Sequence, residues 1–531
     1  MTEQEPTNGI AEVAGQAARP HGVPNYTHSQ IMVIMVALML VMLLAALDQT
    51  IVSTALPRIA VDLHGLNKLS WVATAYLLTS AISTPIYGKI SDLFGRKKIF
   101  QTAIVIFLAS SALCGISQTM NQLVAARALQ GIGAGGLMSL VLAIVGDVIS
   151  PRQRGKYMGY FGAVFGVASI AGPLLGGFLT DALSWRWIFF VNLPLGVLAL
   201  SAVAARLHLP VYKKQHKIDY LGASLLGTSS GSVLLATVWG GTTYAWGSSQ
   251  IIGLLTAGVA LALAFIAVER RASEPIIPLR LFRNSIFTVS VILSLLSGIA
   301  MFAAILYIPE YQQIVRGYSP TKSGLLMLPL VLGLLVAMIV SGRLTTKWGR
   351  YRAFPLIGTL TLAFGLWLFS HVTLATSQLV LGAWMVVVGI GLGTFMQVMT
   401  LAIQNSVSHS DLGTATSSAT FFRSLGSSFG GALFGAILIS RLTKHLSQLL
   451  PAQAAGSHLS IKGIQTGAAG IHSLPPTVAN DVLHAFVSSF HDMFLLTIPF
   501  ALLAFVVALF LKEVPLRSSH APDMALEGSE T

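Results

Sequence analysis

One carboxylate stands inside an apolar stretch near the start of the chain. Asp48 follows Ile31–Leu47, which contains no charged residue, and Ile51, Val52, Ala55 and Leu56 continue the apolar pattern after it. An ionised side chain at the centre of a membrane helix costs about 2.5–3.5 kcal/mol, and such groups are usually functional. Asp48 is therefore predicted to bind and release a proton. The alternative is a carboxyl group that only hydrogen-bonds a neighbouring helix.

Other polar residues interrupt apolar stretches further along. Arg127 remains charged even when buried, so it can pair with Asp48 or order water for proton transfer, or it can extend to the membrane surface. Gln130, one turn later, is predicted to line a substrate cavity. Glu310, Tyr311 and Gln313 in "PEYQQ" are candidate contacts for a cationic or polar substrate, or simply a solvated helix end.

The composition indicates a protein whose solvent is largely lipid. Of 531 residues, 54% are hydrophobic and only 10% are charged, against about 25% charged in soluble domains. The single cysteine, Cys114, excludes a disulfide within the chain. No cleavable signal peptide is evident, since the first residues lack an apolar core. The net charge of +13 could indicate nucleic acid as a partner, but the distribution of the charges explains it differently.

Fourteen segments have the length and apolar character of a membrane helix, which needs about 20 residues. Their predicted bounds are 31–55, 70–90, 99–117, 123–146, 157–179, 186–206, 218–238, 250–268, 286–308, 322–342, 353–371, 378–403, 418–440 and 488–511. With the N-terminus in the cytoplasm, 22 of the 32 Lys and Arg residues fall on the inner side and 8 on the outer side. This bias predicts that both termini are cytoplasmic, and it removes the support for nucleic-acid binding.

Two loops repeat each other. Gly88–Lys98 reads GKISDLFGRKK and Gly342–Arg352 reads GRLTTKWGRYR, at an offset of 254 residues. Repeated halves are typical of transporters with a substrate site between them. The predicted fold is thus an all-α membrane protein of 6 + 2 + 6 helices. Its parts are a tail (1–30), a first half (31–206), two inserted helices (207–285), a second half (286–511) with a long outer loop (441–487), and a second tail (512–531).

Several stretches resemble one family. GKISDLFGRKK resembles the signature loop of the major facilitator superfamily, and "LDQTIVSTALP" (47–57) resembles the first-helix motif of its 14-helix drug:proton antiporters, the EmrB/QacA-like subfamily. Four further stretches resemble motifs of this subfamily in the expected order: "RALQGIGAGG" (127–136), "GPLLGG" (172–177), "WRWIFFVNLPLG" (185–196) and "LGTATSSATFFRSLG" (412–426). The resemblance spans about residues 30–511.

The resemblance implies roles for several residues. The matching arginine of the family is linked to proton transfer, which implies that role for Arg127. In the signature loop, Gly88 and Gly95 permit tight turns, and Arg96 supplies a positive charge. The family pattern implies that Asp92 meets the start of the helix near Thr416, with Arg423 within reach. Thr346 replaces Asp92 in the second copy, so this gate is expected to be asymmetric. The motif that accompanies exchange rather than symport comprises Gly162, Gly166, Gly172, Pro173, Gly176 and Gly177.

The predicted function is proton-coupled export of lipophilic, often cationic drugs or other toxic compounds across the cytoplasmic membrane of a bacterium, by a monomer with no cofactor or metal. The alternatives are export of an endogenous lipid, siderophore or metabolite, and a membrane sensor or scaffold that does not transport. No G-x-x-x-x-G-K-[ST] motif is present for nucleotide hydrolysis, and no catalytic cluster indicates an enzyme. The inserted helices at 218–268 carry no charge from Tyr220 to Val268, so they are expected to face lipid and to contribute no coupling residue.

Overall fold

The structure is a computed structural model of the chain, and it describes residues 28–64, 68–149, 151–207, 219–241, 243–449 and 475–516. Within these residues sixteen helices follow one another. They are α1 His28–Asp62, α2 Leu69–Phe94, α3 Arg96–Ile116, α4 Met120–Val148, α5 Pro151–Ala182, α6 Trp187–Phe190, α7 Asn192–Arg206, α8 Tyr220–Trp239, α9 Ser249–Glu269, α10 Ser285–Ile314, α11 Pro320–Leu325, α12 Leu328–Trp348, α13 Ala353–Ser370, α14 Gln378–Ser406, α15 Leu412–Leu449 and α16 Pro476–Leu509. The greater part of both predicted tails, the connection 208–218 and the segment 450–474 of the predicted outer loop lie outside the described residues.

The described helices include thirteen stretches that are long and apolar enough to cross a membrane. α2 is long enough to cross a membrane, but its Ser and Thr residues make its sequence less apolar than that of the thirteen. Two predicted spans, 186–206 and 322–342, are interrupted and become α6 with α7 and α11 with α12. Pro194 and Pro329 lie in the first turn of the second helix of each pair, the one place in a helix where the missing N–H is tolerated.

The predicted outer loop is shorter than expected at both ends. α15 continues to Leu449, and α16 begins at Pro476 instead of 488. Leu442 and Leu446 on one helix and Val482 on the other belong to the buried core of this half. The apolar packing between α15 and α16 therefore extends beyond the membrane-length segments that the sequence predicted.

Two groups of helices with separate cores make up most of the molecule. In the first, α1 packs along α5 and α2 along α4; in the second, α10 packs along α15 and α12 along α14. The repeated loops share a backbone feature as well, since Gly95 (φ 93°) and Gly349 (φ 68°) both follow their helix with a positive φ, which favours glycine. The sequence repeat thus corresponds to a repeat of helix packing.

The two halves meet along α2 with α15 and α5 with α12. We call the end of the bundle that carries Gly88–Lys98 the basic end and the opposite end the far end. At the basic end, Gly88 lies against Ser417 and the carbonyl of Gly413. Toward the far end, α2 and α15 line opposite sides of a cavity of about 300 Å³ with Thr74 and Ser428. The halves are therefore closed against each other at the basic end along this seam.

The inserted helices lie beside that seam. α8 packs against both α2 and α15 and lines the cavity between them with Leu234 and Thr237. α9 packs on α8, where Ser229 Oγ donates to the carbonyl of Gly258 at 2.8 Å, and its outer side chains, such as Val259 and Leu263, are exposed. The pair thus bridges the two halves at the edge of the bundle.

Close packing of α10 and α15 provides a test of this architecture. A Cβ atom at Gly426 would overlap the carbonyl oxygen of Leu295 on α10. We expect Gly426→Ala to lower the thermal unfolding midpoint of the purified protein, because overpacking typically costs about 1–3 kcal/mol. Gly253→Ala on α9 is the control, since its Cβ would meet nothing within 4 Å. Equal midpoints for Gly426→Ala and the unmodified protein would contradict this packing.

Candidate functional site

Three side chains from two other helices surround the carboxylate of Asp48. Arg127 Nη1 donates to Oδ2 at 2.7 Å, while Gln130 Nε2 and Asn192 Nδ2 donate to Oδ1 at 2.9 and 2.8 Å. Asp48, Gln130 and Asn192 are 0% exposed and Arg127 is 2% exposed. We call these four residues the Asp48 network. Its carboxylate faces only donors, which suits an ionised group because that form can only accept hydrogen bonds.

Arg127 is held by groups other than Asp48 as well. Its Nε donates to the carbonyl of Val72 at 3.2 Å, and Nη1 also donates to Gln130 Oε1 at 2.7 Å. The guanidinium lies 4.1 Å from the ring centre of Tyr76, a cation–π contact. The arginine therefore retains acceptors on α2 and α4 when its contact with the carboxylate is removed.

Asn192 reaches the network because the chain breaks between α6 and α7. It is the first residue of α7, and its Nδ2 also donates to Ser111 Oγ on α3 at 3.0 Å. Sequence reasoning missed this residue. The only available signal was a single amide side chain in the apolar stretch "IFFVNLPLG". The network consequently joins α1, α4 and α7, with α3 behind it.

The glycines of α5 serve two different contacts. A Cβ at Gly172 or Gly176 would overlap Thr50 or Thr54 on α1, close to Asp48. Thr50 Oγ1 also donates to the carbonyl of Ala168 at 2.9 Å. These contacts bring α5 against the helix that carries Asp48.

The other end of the α5 motif lies at the interface of the halves. A Cβ at Gly162 would come within 2.9 Å of Leu335, and one at Gly166 within 2.8 Å of Val331, both on α12. Pro173 lies 3.9 Å from the Cβ position of Gly324. Gly177 differs from its motif partners, because a Cβ there would meet nothing within 4 Å; it is not a close-packing position.

At the basic end, Asp92 joins the two halves. Its Oδ2 accepts from the backbone N–H and from Oγ1 of Thr414, both at 2.8 Å. Thr414 lies in the first turn of α15, where the helix dipole favours a negative charge. Arg96 Nη1 lies 2.6 Å from Asp92 Oδ1 and the same guanidinium pairs with Asp147. In the second copy of the loop, Thr346 Oγ1 instead donates within its own helix to Gly342 at 2.9 Å.

The expectation that Arg423 reaches Asp92 is wrong. Asp92 contacts Thr414, nine residues earlier on α15, which corresponds to about 14 Å along the helix axis. Arg423 lies instead between α10 and α14, in a cavity with Ser297 and Met399. Across the interface between the halves, Asp92 is therefore bound by the start of α15 and not by Arg423, which the sequence analysis expected to be within reach.

A second polar contact between the halves lies near the first. Arg154 Nη1 donates to Gln404 Oε1 at 3.0 Å, and Gln404 Nε2 donates to the carbonyl of Leu142 at 3.0 Å. Burial lowers the pKa of Arg154 to about 9, so the side chain remains protonated at neutral pH. Sequence reasoning did not predict this contact. Its two residues are 250 positions apart, so neither gives a local signal of the other.

The remaining predicted cavity residues are dispersed. Gln130 is enclosed in the Asp48 network rather than facing a cavity. Tyr311 is 2% exposed and donates to the carbonyl of Thr373 at 3.0 Å, inside the core of the second half. Gln313 donates to Ser323 at 2.9 Å. Glu310 is half-buried with no hydrogen bond or ion pair in the described part of the chain. Tyr311 and Gln130 are therefore not substrate-facing here, because helix rotation points them into packed interiors.

Comparison with known proteins places these features in context. Residues 38–431 match the model of the Major Facilitator Superfamily. The uncharacterized MFS-type transporter Rv1877 of Mycobacterium tuberculosis is 41% identical over 489 residues, covering 92% of this chain and 70% of that protein. The multidrug transporter protein MdtP of Bacillus subtilis is 38% identical over 509 residues, covering 92% and 94%. The solved structure of the proton:xylose symporter XylE shares the fold, with a TM-score of 0.59 at 16% identity over 93% of this chain and 98% of that chain.

The buried pair of Asp48 and Arg127 predicts non-additive effects on stability. Asp48→Asn leaves a buried guanidinium without its counter-ion, and Arg127→Gln leaves a buried carboxylate, so each should cost about 3–5 kcal/mol. The double variant should lose less than the sum of the two. Thermal unfolding of the purified proteins measures this, with Glu310→Gln as a control that removes a carboxylate without a bonded partner. Additive losses would argue against a coupled pair.

The contact of Asp92 with Thr414 predicts a looser basic end in Asp92→Asn. The variant retains an oxygen acceptor but loses the charge at the start of α15, an interaction of about 1 kcal/mol. Amide hydrogen exchange of residues 412–418 should become about fivefold faster and transport slower, while substrate binding persists. Thr346→Ala, at the matching position of the second loop, should leave this exchange unchanged. Loss of substrate binding in proportion to transport would instead assign the loop to the binding pocket.

Proposed function

Because this chain belongs to the Major Facilitator Superfamily and is therefore a membrane transporter of small molecules rather than an enzyme, we propose that it exports drugs or other toxic lipophilic compounds in exchange for protons. The observation that carries the proposal is the Asp48 network, in which a carboxylate is sealed inside the first half with three donors. The relative MdtP, named a multidrug transporter, supports the class of cargo. The cargo includes lipophilic cations, and the proton gradient is the energy source, with no cofactor.

Protonation of Asp48 would open the network. A proton on Oδ2 would face Arg127 Nη1, which already donates to that atom, so two donors would oppose each other. Arg127 can then turn to Gln130 Oε1 and the carbonyl of Val72, which it already contacts. The proton enters from the outer side, neutralises the carboxylate, and leaves to the inner side when the network closes again. Protonation of Asp48 thus becomes coupled to the position of α1 relative to α4.

Exchange also requires that the inner side of the protein opens and closes, which is the role we assign to the contacts at the basic end. We place the basic end and both termini in the cytoplasm, in agreement with the excess of Lys and Arg there. Asp92 and Arg154 then hold the inner side shut, through Thr414 and Gln404 of the other half. When these contacts break, the halves can rock, and the cavity between α2 and α15 becomes open to the cytoplasm. The glycine contacts of α5 with α12 allow this motion without loss of close packing.

The electrical part of the gradient fits this role. Moving one proton across 100 mV releases about 2.3 kcal/mol, and one titrating carboxylate per cycle suffices to use it. The subfamily of 14-helix drug:proton antiporters and the cytoplasmic membrane of a bacterium are the setting that we assign to the protein, acting as a monomer. With α6–α7 and α11–α12 counted as one span each, the six spans of each half and the inserted pair α8–α9 fit that assignment.

Asp48→Asn tests the proposal directly. In proteoliposomes with an imposed pH gradient, the variant should lose uphill transport of a lipophilic cation such as ethidium by more than about tenfold, since no other proton-binding group lies in the network. Exchange of ethidium down its own gradient should persist, which also shows that the variant is folded. Asp181→Asn, an exposed residue at the end of α5, is the control. Uphill export at the unmodified rate by Asp48→Asn would remove Asp48 from coupling.

A further inference from the structure

One cavity of the described structure serves neither the gate nor the Asp48 network. It lies between α2, α8, α10 and α15, beside the inserted helices, and we call it the seam cavity. Its volume is about 300 Å³, which corresponds to about ten water molecules at about 30 Å³ each. Small-molecule sites in proteins begin at about this size. The seam cavity therefore has room for one compact organic compound.

The seam cavity lies at membrane depth, behind the helix that contacts Arg127. Val72 and Tyr76 of α2 face Arg127. Thr74 lines the cavity. It follows Val72 by two residues, which places it on nearly the opposite side of the helix and about 3 Å further along the axis. One helix thus separates the seam cavity from the Asp48 network.

Small residues of α15 create the space. Four lining positions of this helix carry no side chain larger than a methyl group: Gly431, Ala432, Gly435 and Ala436. They recur at helical spacing, so they lie on one face of α15. The inserted helix α8 packs against both α2 and α15, and it contributes Leu234, Thr237 and Val238 to the lining. The insertion therefore forms one wall of a cavity between the halves.

Two hydroxyl groups of the lining have no partner within the described residues. Thr74 on α2 and Ser428 on α15 are half-buried and form no hydrogen bond in that part of the chain. A hydroxyl that leaves water without finding a partner costs free energy, and the interior of a membrane supplies no water. Thr237, by contrast, donates to the carbonyl of Leu234 at 2.8 Å. Two donors are thus available to a ligand, one on each side of the cavity.

The remaining lining favours an uncharged ligand. None of the described lining residues is Asp, Glu, Lys, Arg or His, so an ion would leave water without gaining an opposite charge, which is costly. Leu78, Phe302 and Ile439 provide apolar contacts. A lipid acyl chain would fill the apolar space, but it offers no acceptor to the hydroxyls of Thr74 and Ser428. The chemistry that matches the whole lining is an apolar compound with a hydrogen-bond acceptor.

We propose that the seam cavity binds uncharged lipophilic compounds that carry a ketone, ester or amide carbonyl, and that α8 limits the size of the compound that fits. The carbonyl oxygen accepts from Thr74 or Ser428, and the apolar part packs between Phe302 and Leu234. This inference rests on the proposed export function and adds uncharged compounds to the cationic cargo. It also gives the inserted pair a part in substrate selection, whereas the sequence analysis expected these helices to face lipid.

Displacement of a fluorescent ketone tests the inference without a proton gradient. The probe is Prodan, an uncharged naphthalene with a propionyl and a dimethylamino group, bound to the full chain in nanodiscs after subtraction of empty nanodiscs. Its competitors are the propyl analogue, which lacks the carbonyl oxygen, and the trimethylammonium analogue, which carries a charge. Prodan should bind about fivefold more tightly than the propyl analogue, the contribution of one hydrogen bond. It should bind at least about tenfold more tightly than the charged analogue, which finds no opposite charge.

Removal of the hydroxyls should weaken binding of the ketone selectively. The double variant Thr74→Val with Ser428→Ala should bind Prodan about fivefold more weakly, since the carbonyl loses its donors. Its affinity for the propyl analogue should stay within about twofold of that of the unmodified protein, since that compound makes no hydrogen bond there. Thr228→Val, at an exposed position of α8, is the matched control and should bind both compounds unchanged.

Filling the cavity from α8 tests the role of the insertion. Val238→Phe should weaken binding of Prodan and of its propyl analogue by about tenfold each, because the larger side chain occupies their space. Val259→Phe makes the same change on the exposed side of α9 and should weaken neither. Thermal unfolding checks that each variant is folded. If Val238→Phe does not fold, Val238→Leu decides, since it fills the same space with a smaller side chain.

Three results would overturn the proposal. Equal affinities for Prodan and the propyl analogue, with equal losses in the double variant, would indicate a site for acyl chains. Displacement of Prodan by the trimethylammonium analogue at equal or lower concentration would exclude selection for uncharged compounds. Unchanged binding of Prodan in a folded Val238→Phe variant would show that α8 is not a wall of the site.

The outcome for export is distinguishable from the outcome for this cavity. If Asp48→Asn abolishes uphill export of ethidium but the double variant binds Prodan normally, the export function stands and the seam cavity fails as a site. If Prodan binding depends on Thr74, Ser428 and Val238 but the unmodified protein transports nothing against a gradient, the site stands and the coupling fails.

Discussion

A charge in the middle of a bilayer has no water to solvate it, so protein groups must take the place of the water. This constraint explains the polar contacts of the first half. Asp48 is paired with Arg127 and two amides. At the basic end the same need of buried charges for partners is met by Arg96, which is shared between Asp92 and Asp147. Each contact joins helices that apolar packing alone would leave free to slide. The same contacts therefore neutralise the buried charges and fix the helices relative to one another.

The halves repeat each other in backbone but not in chemistry. Gly95 and Gly349 end equivalent helices with positive φ, yet Asp92 has a partner across the interface while Thr346 bonds within its own helix. Likewise, Arg127 of the first half is paired with Asp48, whereas Arg423 of the second half forms no ion pair with the part of the chain that the structure describes. Matching positions of the two halves thus carry different polar contacts.

The inserted helices add contacts that a simple pair of halves lacks. The connection after α9 contributes Glu274, whose Oε2 lies 2.9 Å from Lys89 Nζ in the signature loop. Further along, Arg280 pairs with Asp411 at 3.0 Å, just before α15. The insertion therefore contacts both sides of the junction between Asp92 and Thr414, while α8 lies along the seam between α2 and α15. Glu274 and Arg280 thus lie at the basic end, while outer side chains of α9, such as Val259 and Leu263, are exposed.

The sequence by itself determined the helical class, the repeat and the isolation of Asp48, because composition, the 254-residue offset and an unbroken apolar run are local properties. It also indicated Arg127 as a partner. Only the tertiary structure decided that Asn192 completes the network, that Thr414 rather than Arg423 receives Asp92, and that Tyr311 points into a core. A membrane helix is apolar around its whole circumference, so its pattern does not reveal which face meets which neighbour. That rotation is set by packing between distant helices, and it decides which polar side chains meet.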